Sequence, residues 1–433
     1  MRPANLAAYG KVDGMPTLSG DLAFRGLIHQ TTDPELPKRF DQPGLTVYAG
    51  FDPSADSLHV GNLLQLCTLR RFQLAGHRPI SLAGGGTGMI GDPGGKEDER
   101  QLLTPETIEG YLEGIRPQLG QFLDMDTALL LNNAEWLGRL STLEYLRDVG
   151  KHFTVNQMVG KESVRARFQR PDQGISYAEF SYMLLQAYDF LRLHLDHGCD
   201  VQFGGSDQWG NITMGIELIR KFCGDEVWGF TTPLIVKPDG TKYGKTETGT
   251  VWLDPRRTSP FAMYQFLLNT ADEQVGQLVR FLTFLDHAAI ADLDTETETH
   301  PELRSAQRAL AREVVTMVHG PGEAAKCEEA SAALFGQEIA GLSEEMLLAV
   351  TEDAPSTDLL RSELLDGLTL VDVLVRTGLA KSKGDARRTI GGTYVNNVQQ
   401  TDPSRSLGPT DLLHDRYVVL RKGKRDVHVV RAI

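Results

Sequence analysis

The chain has 433 residues, 41% of them hydrophobic and 24% charged, with a net charge of −14. That length exceeds one ordinary core, so two or three domains are expected, and the composition excludes a disordered chain. No apolar run approaches the ~18 residues of a membrane span, and residues 1–20 lack the apolar stretch of a signal peptide, so no membrane association is expected. The four cysteines, Cys67, Cys199, Cys223 and Cys327, are scattered without a Cys-x-x-Cys pair. Their spacing argues against a zinc site and a disulfide framework, and predicts reduced thiols in a cytoplasmic protein.

Residues 1–20 read as a loose extension. Residues 45–51 read as a buried strand, followed by a helix capped by Ser57 and stopped at Gly76, then a short strand at 80–83. This β-α-β unit implies a parallel sheet. Helical stretches follow at 105–123, 142–149 and 177–195. A strand at 201–203 leads into Gly204-Gly205-Ser206-Asp207, a further helix begins near Asn211, and the sheet finishes around 234–236. The pattern then turns helical through 256–340. Ser, Thr and Pro near 351–357 mark a linker within 341–365. The tail, 366–433, reads as a small α/β module with helices at 370–377 and 384–390 and strands near Tyr394 and at 417–420. The expected fold class is α/β: a Rossmann-like parallel-sheet domain over 21–255, an all-α domain, and the tail module.

Charge is unevenly distributed. From 366 onward there are 12 Lys and Arg against 7 Asp and Glu, or +5, which leaves −19 for the remainder. Two basic clusters carry it: Lys381, Lys383, Arg387 and Arg388, then Arg421, Lys422, Lys424 and Arg425. Localised phosphate contact with RNA is one reading of these clusters, and a solvated basic face is the other.

His59-Val60-Gly61-Asn62 falls where a strand gives way to a helix. A helix N-terminus favours anions, two side-chain donors there suit a polyphosphate, and Gly61 lets a nucleotide approach the backbone. Lys242-Tyr243-Gly244-Lys245-Thr246 places two ammonium groups in a Gly-rich loop, where they can meet a leaving pyrophosphate. Gly86 to Gly91 fits G-x-G-x-x-G after a strand, but Asp92-Pro93-Gly94-Gly95 interrupts the helix that must open there. A P-loop fails as well, because Glu97 follows Lys96 where Ser or Thr is required. The better reading is a flexible loop that brings Lys96 and Arg100 over a phosphate tail. On the helix at 177–195, Tyr182, Gln186 and Asp189 stand at i, i+4 and i+7 and share one face. That polar stripe either lines a pocket or faces solvent.

The paired motifs and the helix between them resemble the class I aminoacyl-tRNA synthetases, specifically their bacterial tyrosyl branch. The resemblance covers nearly the whole chain from about Asp21. It departs at Asn62, where the family usually has His; Asn keeps a donor but cannot carry charge. The resemblance implies that Asp189 and Tyr48 hold a substrate phenol, that Tyr182, Gln186 and Asp92 hold its α-ammonium, and that Gln208 positions the substrate. Gly204 and Asp207 would meet the adenylate ribose, with Asp52 alongside. His59, Asn62, Lys96, Arg100, Lys242 and Lys245 would serve ATP and pyrophosphate, with Gly61 and Thr246 in the nucleotide site. The implied partners are L-tyrosine, ATP with Mg2+ and no tightly bound protein metal, tRNA(Tyr), and a second copy in a homodimer, for which apolar surface around 153–158 is compatible. The tail resembles the RNA-binding module of ribosomal small-subunit protein four, and the 256–340 helices correspond to an anticodon-side domain. A tryptophanyl enzyme shares this fold and chemistry, but Asp189 with Tyr48 suits a phenol better than an indole. A synthetase-derived RNA-binding protein without catalysis is opposed by His59 and Lys245.

Overall fold

The computed structural model describes residues 16–92, 103–161, 164–165, 174–236, 243–246, 249–335, 339–351, 354–365, 367–423 and 426–433. Packing divides the chain into two units: residues up to Thr258 with Phe266–Gly320, and Ser259–Gln265 with Pro321–Ile433.

The first unit is built on a six-stranded sheet. Its strands are β1 (Gln30–Thr31), β2 (Thr46–Phe51), β3 (Arg78–Ala83), β4 (Leu129–Asn132), β5 (Val201–Gly205) and β6 (Trp228–Thr232). The spatial order is β1-β6-β5-β2-β3-β4, parallel throughout except for the antiparallel edge strand β1. Five of the six β2 residues are buried, as expected for a central parallel strand covered on both faces. The order of strands reverses at β2, whose neighbours are β3 on one side and β5 on the other. In such sheets the crevice beyond the carboxyl ends of the strands at the reversal is where ligands bind.

Ser57 does not cap the first long helix. Its hydroxyl donates to the Leu58 carbonyl at 2.7 Å and accepts from the Asp254 N–H at 3.2 Å. His59 instead begins a 3-10 turn, Val60–Asn62, and the helix Leu63–Leu74 follows. The helix Tyr177–His197 starts at Ser176, whose side chain accepts from the Glu179 N–H, and stops at Gly198 with φ 64°. It packs along the helix Trp209–Phe222, which lies on β5 and β6. Phe40, Phe72, Phe203 and Phe230 form an aromatic core beside the sheet, with centroids 4.9 Å apart for Phe203 and Phe230.

The helices Asp272–Leu282, His287–Thr299 and Ser305–His319 form within the stretch expected to be helical, and they pack in the first unit. Two buried guanidiniums fasten them. Arg25 donates to the carbonyls of Arg280, Thr283 and Leu285 at 3.0, 3.1 and 2.6 Å. Arg71, from Leu63–Leu74, donates to those of Phe281 and Thr283 at 3.3 and 2.5 Å. Cations at the carbonyl end of Asp272–Leu282 also complement its dipole.

The second unit carries a five-stranded sheet in the order 398–400, 393–395, 417–422, 426–432 and 356–359. Asn396 and Asn397 turn the first hairpin at φ 49° and 65°, the conformation a two-residue I′ turn requires. Ser356–Leu359 pairs in parallel with Asp426–Ala432, so part of the expected linker belongs to this sheet. Its Ser-Thr-Asp-Leu sequence sits on an edge and lacks the apolar alternation that marks a strand. The helices Leu370–Arg376 and Lys383–Thr389 cover the sheet through Leu370, Val373, Leu374 and Ala386, packed on Val418, Leu420 and Val430.

Candidate active site

A cavity of about 670 Å³ opens at the carboxyl ends of β2, β3 and β5, at the reversal in strand order. Its lining includes Tyr48, Asp52, His59, Gly61, Asn62, Asp92, Tyr182, Gln186, Asp189, Gly204, Asp207 and Gln208. Residues far apart in the chain thus meet in one place. Lys96, Arg100 and Lys242 lie outside the described residues, as do Lys424 and Arg425 of the tail and the side chains of Lys245 and Thr246.

The two short motifs adjoin. Val60 N–H donates to the Val251 carbonyl at 3.0 Å, and Val251 N–H donates to the Gly244 carbonyl at 2.9 Å. A Cβ on Gly61 would lie 2.8 Å from the His59 ring and 3.6 Å from the Tyr243 carbonyl, and one on Gly244 would lie 3.4 Å from the Gly61 nitrogen. The backbone at 243–246 therefore rests against the His59–Asn62 turn. Tyr243 anchors it from below: its ring lies 5.1 Å from that of Phe266, and its hydroxyl is 3.3 Å from that of Thr270. The Asn62 side-chain carbonyl accepts from the His59 N–H at 3.0 Å, which leaves the amide NH2 as its donor group.

The helical stripe faces the cavity. Asp189 is buried; its carboxylate accepts from the Trp136 indole N–H at 2.7 Å and from the Asn133 amide at 2.9 Å. Burial pushes this carboxyl up to about 7, opposed by those two hydrogen bonds. Tyr48 is also buried, and its hydroxyl has no hydrogen-bond partner among the described residues. Burial and the Asp189 charge hold that phenol well above its ordinary value. An orphaned hydroxyl beside a half-satisfied carboxylate, both facing a cavity, is a place for a ligand that can both donate and accept.

Further along the stripe, the Tyr182 hydroxyl donates to Asp52 at 2.7 Å, and Thr87 donates to the other Asp52 oxygen at 2.8 Å. Gln186 donates to the Gln208 carbonyl at 3.1 Å, and Gln208 donates to Asp92 at 2.6 Å. Asn211 donates to Gln186 at 2.8 Å and completes this network. Asp52 and Asp92 place negative charge in the middle of the cavity, where a cationic ammonium is favoured.

Sequence reasoning missed Asn133, Trp136 and Thr87. Asn133 also accepts from the Gly86 N–H at 2.7 Å and donates to Thr87 at 2.9 Å, so it ties the Gly-rich turn to Asp189. The turn at 84–91 is close-packed: a Cβ on Gly84 would fall 2.0 Å from Asp52, and one on Gly85 2.2 Å from Asn132, while the part of the expected flexible loop that carries Lys96 and Arg100 lies outside the described residues. Nothing in the local sequence around Asn133 and Trp136 announces a pocket.

In the second unit, Lys381 and Arg387 are exposed. Lys383 pairs with Asp372 at 2.6 Å, and Arg388 with Asp385 at 2.9 Å. Arg421 lies 3.8 Å over the Tyr394 ring, and Lys422 donates to the Leu379 carbonyl at 2.7 Å. Lys422 also reaches Asp385 at 3.4 Å, so the two basic clusters adjoin. Phe153 and Met158, expected on an apolar surface, are buried instead in the core that includes Met183 and Leu184. Their outward neighbours are Leu143, Leu146 and Val155, which with Tyr177 are exposed.

The family model described as tRNA synthetases class I (W and Y) matches residues 41–336, and the Tyrosine--tRNA ligase SYY-like C-terminal domain matches 347–430. The Tyrosine--tRNA ligase of Roseiflexus castenholzii is 53% identical over 426 residues, covering 97% of this chain and 100% of that one. That of Opitutus terrae is 50% identical over 425 residues, covering 96% and 100%. Among solved structures, a C-terminally truncated Aspergillus nidulans mitochondrial tyrosyl-tRNA synthetase superposes with a TM-score of 0.66 at 32% identity, covering 77% of this chain and 97% of that one. The motifs that meet around the cavity and these matches along nearly the full length place the chain in the tyrosine–tRNA ligase family of class I tRNA synthetases.

Proposed function

We infer that the chain activates L-tyrosine with ATP and transfers the tyrosyl group to tRNA(Tyr). The observation that carries this reading is the buried, unpartnered Tyr48 hydroxyl in the same cavity as Asp189. A substrate phenol donates to the carboxylate and accepts from Tyr48. Phenylalanine leaves both groups unpaired, which penalises the wrong substrate.

In the first step a tyrosine carboxylate oxygen attacks the α-phosphorus of ATP. The bond from that phosphorus to the bridging oxygen breaks, and pyrophosphate leaves. Tyr182, Gln186 and Asp92 hold the α-ammonium, Gln208 orients the substrate, and Gly204, Asp207 and Asp52 meet the ribose. His59, Asn62, Lys96, Arg100, Lys242 and Lys245 take up charge on the phosphates, with Gly61 and Thr246 in the nucleotide site. No side chain forms a covalent bond; positioning and charge stabilisation supply the acceleration. In the second step a hydroxyl of the terminal tRNA ribose attacks the tyrosyl carbonyl and AMP leaves.

Mg2+ is proposed to arrive on the nucleotide phosphates rather than in a protein cage. Magnesium would there offset phosphate charge.

The tail's basic clusters are the proposed tRNA contact, with the helices of 256–340 on the anticodon side. The exposed Leu143, Leu146, Val155 and Tyr177 support a homodimer face. No described helix is long and apolar enough to cross a membrane, and the chain is proposed to work in the cytoplasm.

The test is tyrosine-dependent exchange of pyrophosphate into ATP without tRNA, with phenylalanine and tryptophan in parallel. Exchange with tyrosine alone is expected. Exchange with tryptophan would reassign the substrate, and none with any amino acid would remove the activity.

A further inference from the structure

We propose that His194, Cys223 and Asp225 form a zinc site at the C-terminal end of the helix that carries Asp189. One ligand atom from each, the His imidazole nitrogen, the Cys sulfur and a carboxylate oxygen, lie within 4.8 Å of one another. The site is assembled from two helix ends. His194 stands in the last turn of Tyr177–His197, Cys223 closes Trp209–Phe222, and Gly224, at φ 80°, turns the chain so that Asp225 returns beside them. Both helices point their carbonyl ends, the negative ends of their dipoles, at this place, which favours a cation.

The histidine tautomer adds an independent reason. His194 Nδ1 lies 2.9 Å from the Cys199 carbonyl, which can only accept, so Nδ1 carries the proton. Nε2, on the other side of the ring, faces Asp225 Oδ2 at 3.1 Å. A histidine fixed by donation to a backbone carbonyl is the usual second shell of a metal ligand. Tetrahedral zinc with bonds of about 2.0–2.3 Å keeps its N and O ligands about 3.3 Å apart, close to the separation found. Thiolate, imidazole and carboxylate together suit zinc, with water as the fourth ligand. The proton released on binding is that of the Cys223 thiol, which rests 3.3 Å from the Ile219 carbonyl. The absence of a Cys-x-x-Cys pair thus hides a site whose ligands are Cys-x-Asp and a histidine from the preceding helix.

Of the four cysteines, Cys223 is the exposed one; Cys67, Cys199 and Cys327 are buried. Cobalt(II) as a spectroscopic stand-in therefore reports on this site. The full chain, stripped with EDTA, is titrated with cobalt(II) and then with zinc. Stoichiometric binding with a thiolate-to-cobalt charge-transfer band, displaced by zinc, is expected. Cys223→Ser should abolish the band, and His194→Gln should weaken cobalt binding at least tenfold. No band in the unaltered chain would overturn the proposal in favour of a plain imidazolium–carboxylate pair. A band that survives Cys223→Ser would overturn it too, because the thiolate would then belong to another cysteine.

Discussion

The indole N–H of Trp136 donates to the Asp189 carboxylate at 2.7 Å, from a residue 53 positions earlier in the chain. Together with Asn133 it holds the carboxylate in one orientation and opposes its desolvation. The acid proposed to read the substrate phenol is therefore tuned by residues that need not touch the substrate.

A pH dependence follows. Asp189 must be ionised to accept from the phenol, and its carboxyl is raised to about 7. The kcat/KM for tyrosine in pyrophosphate exchange should fall as pH drops through about 7, and Trp136→Phe should move that limb to higher pH, because the lost donor favoured the charged form. A limb unmoved by Trp136→Phe would detach the indole from this role. The sign for stability is the reverse: the folded carboxyl keeps its proton above the ordinary 3.8, so its contribution falls as pH rises from about 4 to 7.

Gly61→Ala should lower the exchange rate about 100-fold, since the added methyl would lie 2.8 Å from the His59 ring and displace it from the phosphates. Tyrosine affinity, read by equilibrium dialysis, should change little, because the methyl falls on the nucleotide side. An equal loss of both would show general disorder of the pocket.

Lys245→Ala should cut adenylate formation by about 100-fold or more while tyrosine still binds, as expected for a charge used mainly in the transition state. Single-turnover quench measurements of adenylate separate the two. An unchanged activation rate removes Lys245 from the mechanism.

Lys381 and Arg387, exposed on and beside the helix Lys383–Thr389, are the described basic side chains best placed for phosphates. Replacing both with Ala should weaken tRNA binding and reduce the slope of log affinity against log salt by about 0.7–0.9 for each phosphate left unneutralised. Filter binding across a salt series gives the slope; an unaltered slope places the RNA elsewhere.

Much of this arrangement is legible in the residues. The apolar run of buried β2, the i, i+4, i+7 stripe of Tyr182, Gln186 and Asp189, and the two Gly-containing motifs are local patterns, and each survives folding as a face or a turn. What escapes local reading is short or distant. β1 has two residues, and every residue of β4 is only half-buried. The hairpin at Asn396-Asn397 was available as an I′ turn signal, but its strands have three residues each. Asn133 and Trp136 acquire meaning only when β4 is laid beside β3, which brings the residues that follow it toward Asp189. Ser57 looks like a helix cap, yet its hydroxyl is engaged with Leu58 and Asp254, and the turn begins two residues later.

The guanidiniums of Arg25 and Arg71 have a consequence for dissecting the molecule. All the backbone carbonyls they are described as meeting, from Arg280 to Leu285, lie beyond residue 255, where sequence alone would end the catalytic domain. A fragment cut there would retain two buried cations beside one carboxylate, Asp21, and would bare the flank of Leu63–Leu74, the helix that continues from the His59–Asn62 turn. Such a fragment should be insoluble or inactive, whereas one extended to Gly320 keeps every acceptor, and is the shorter piece worth expressing for ligand soaking.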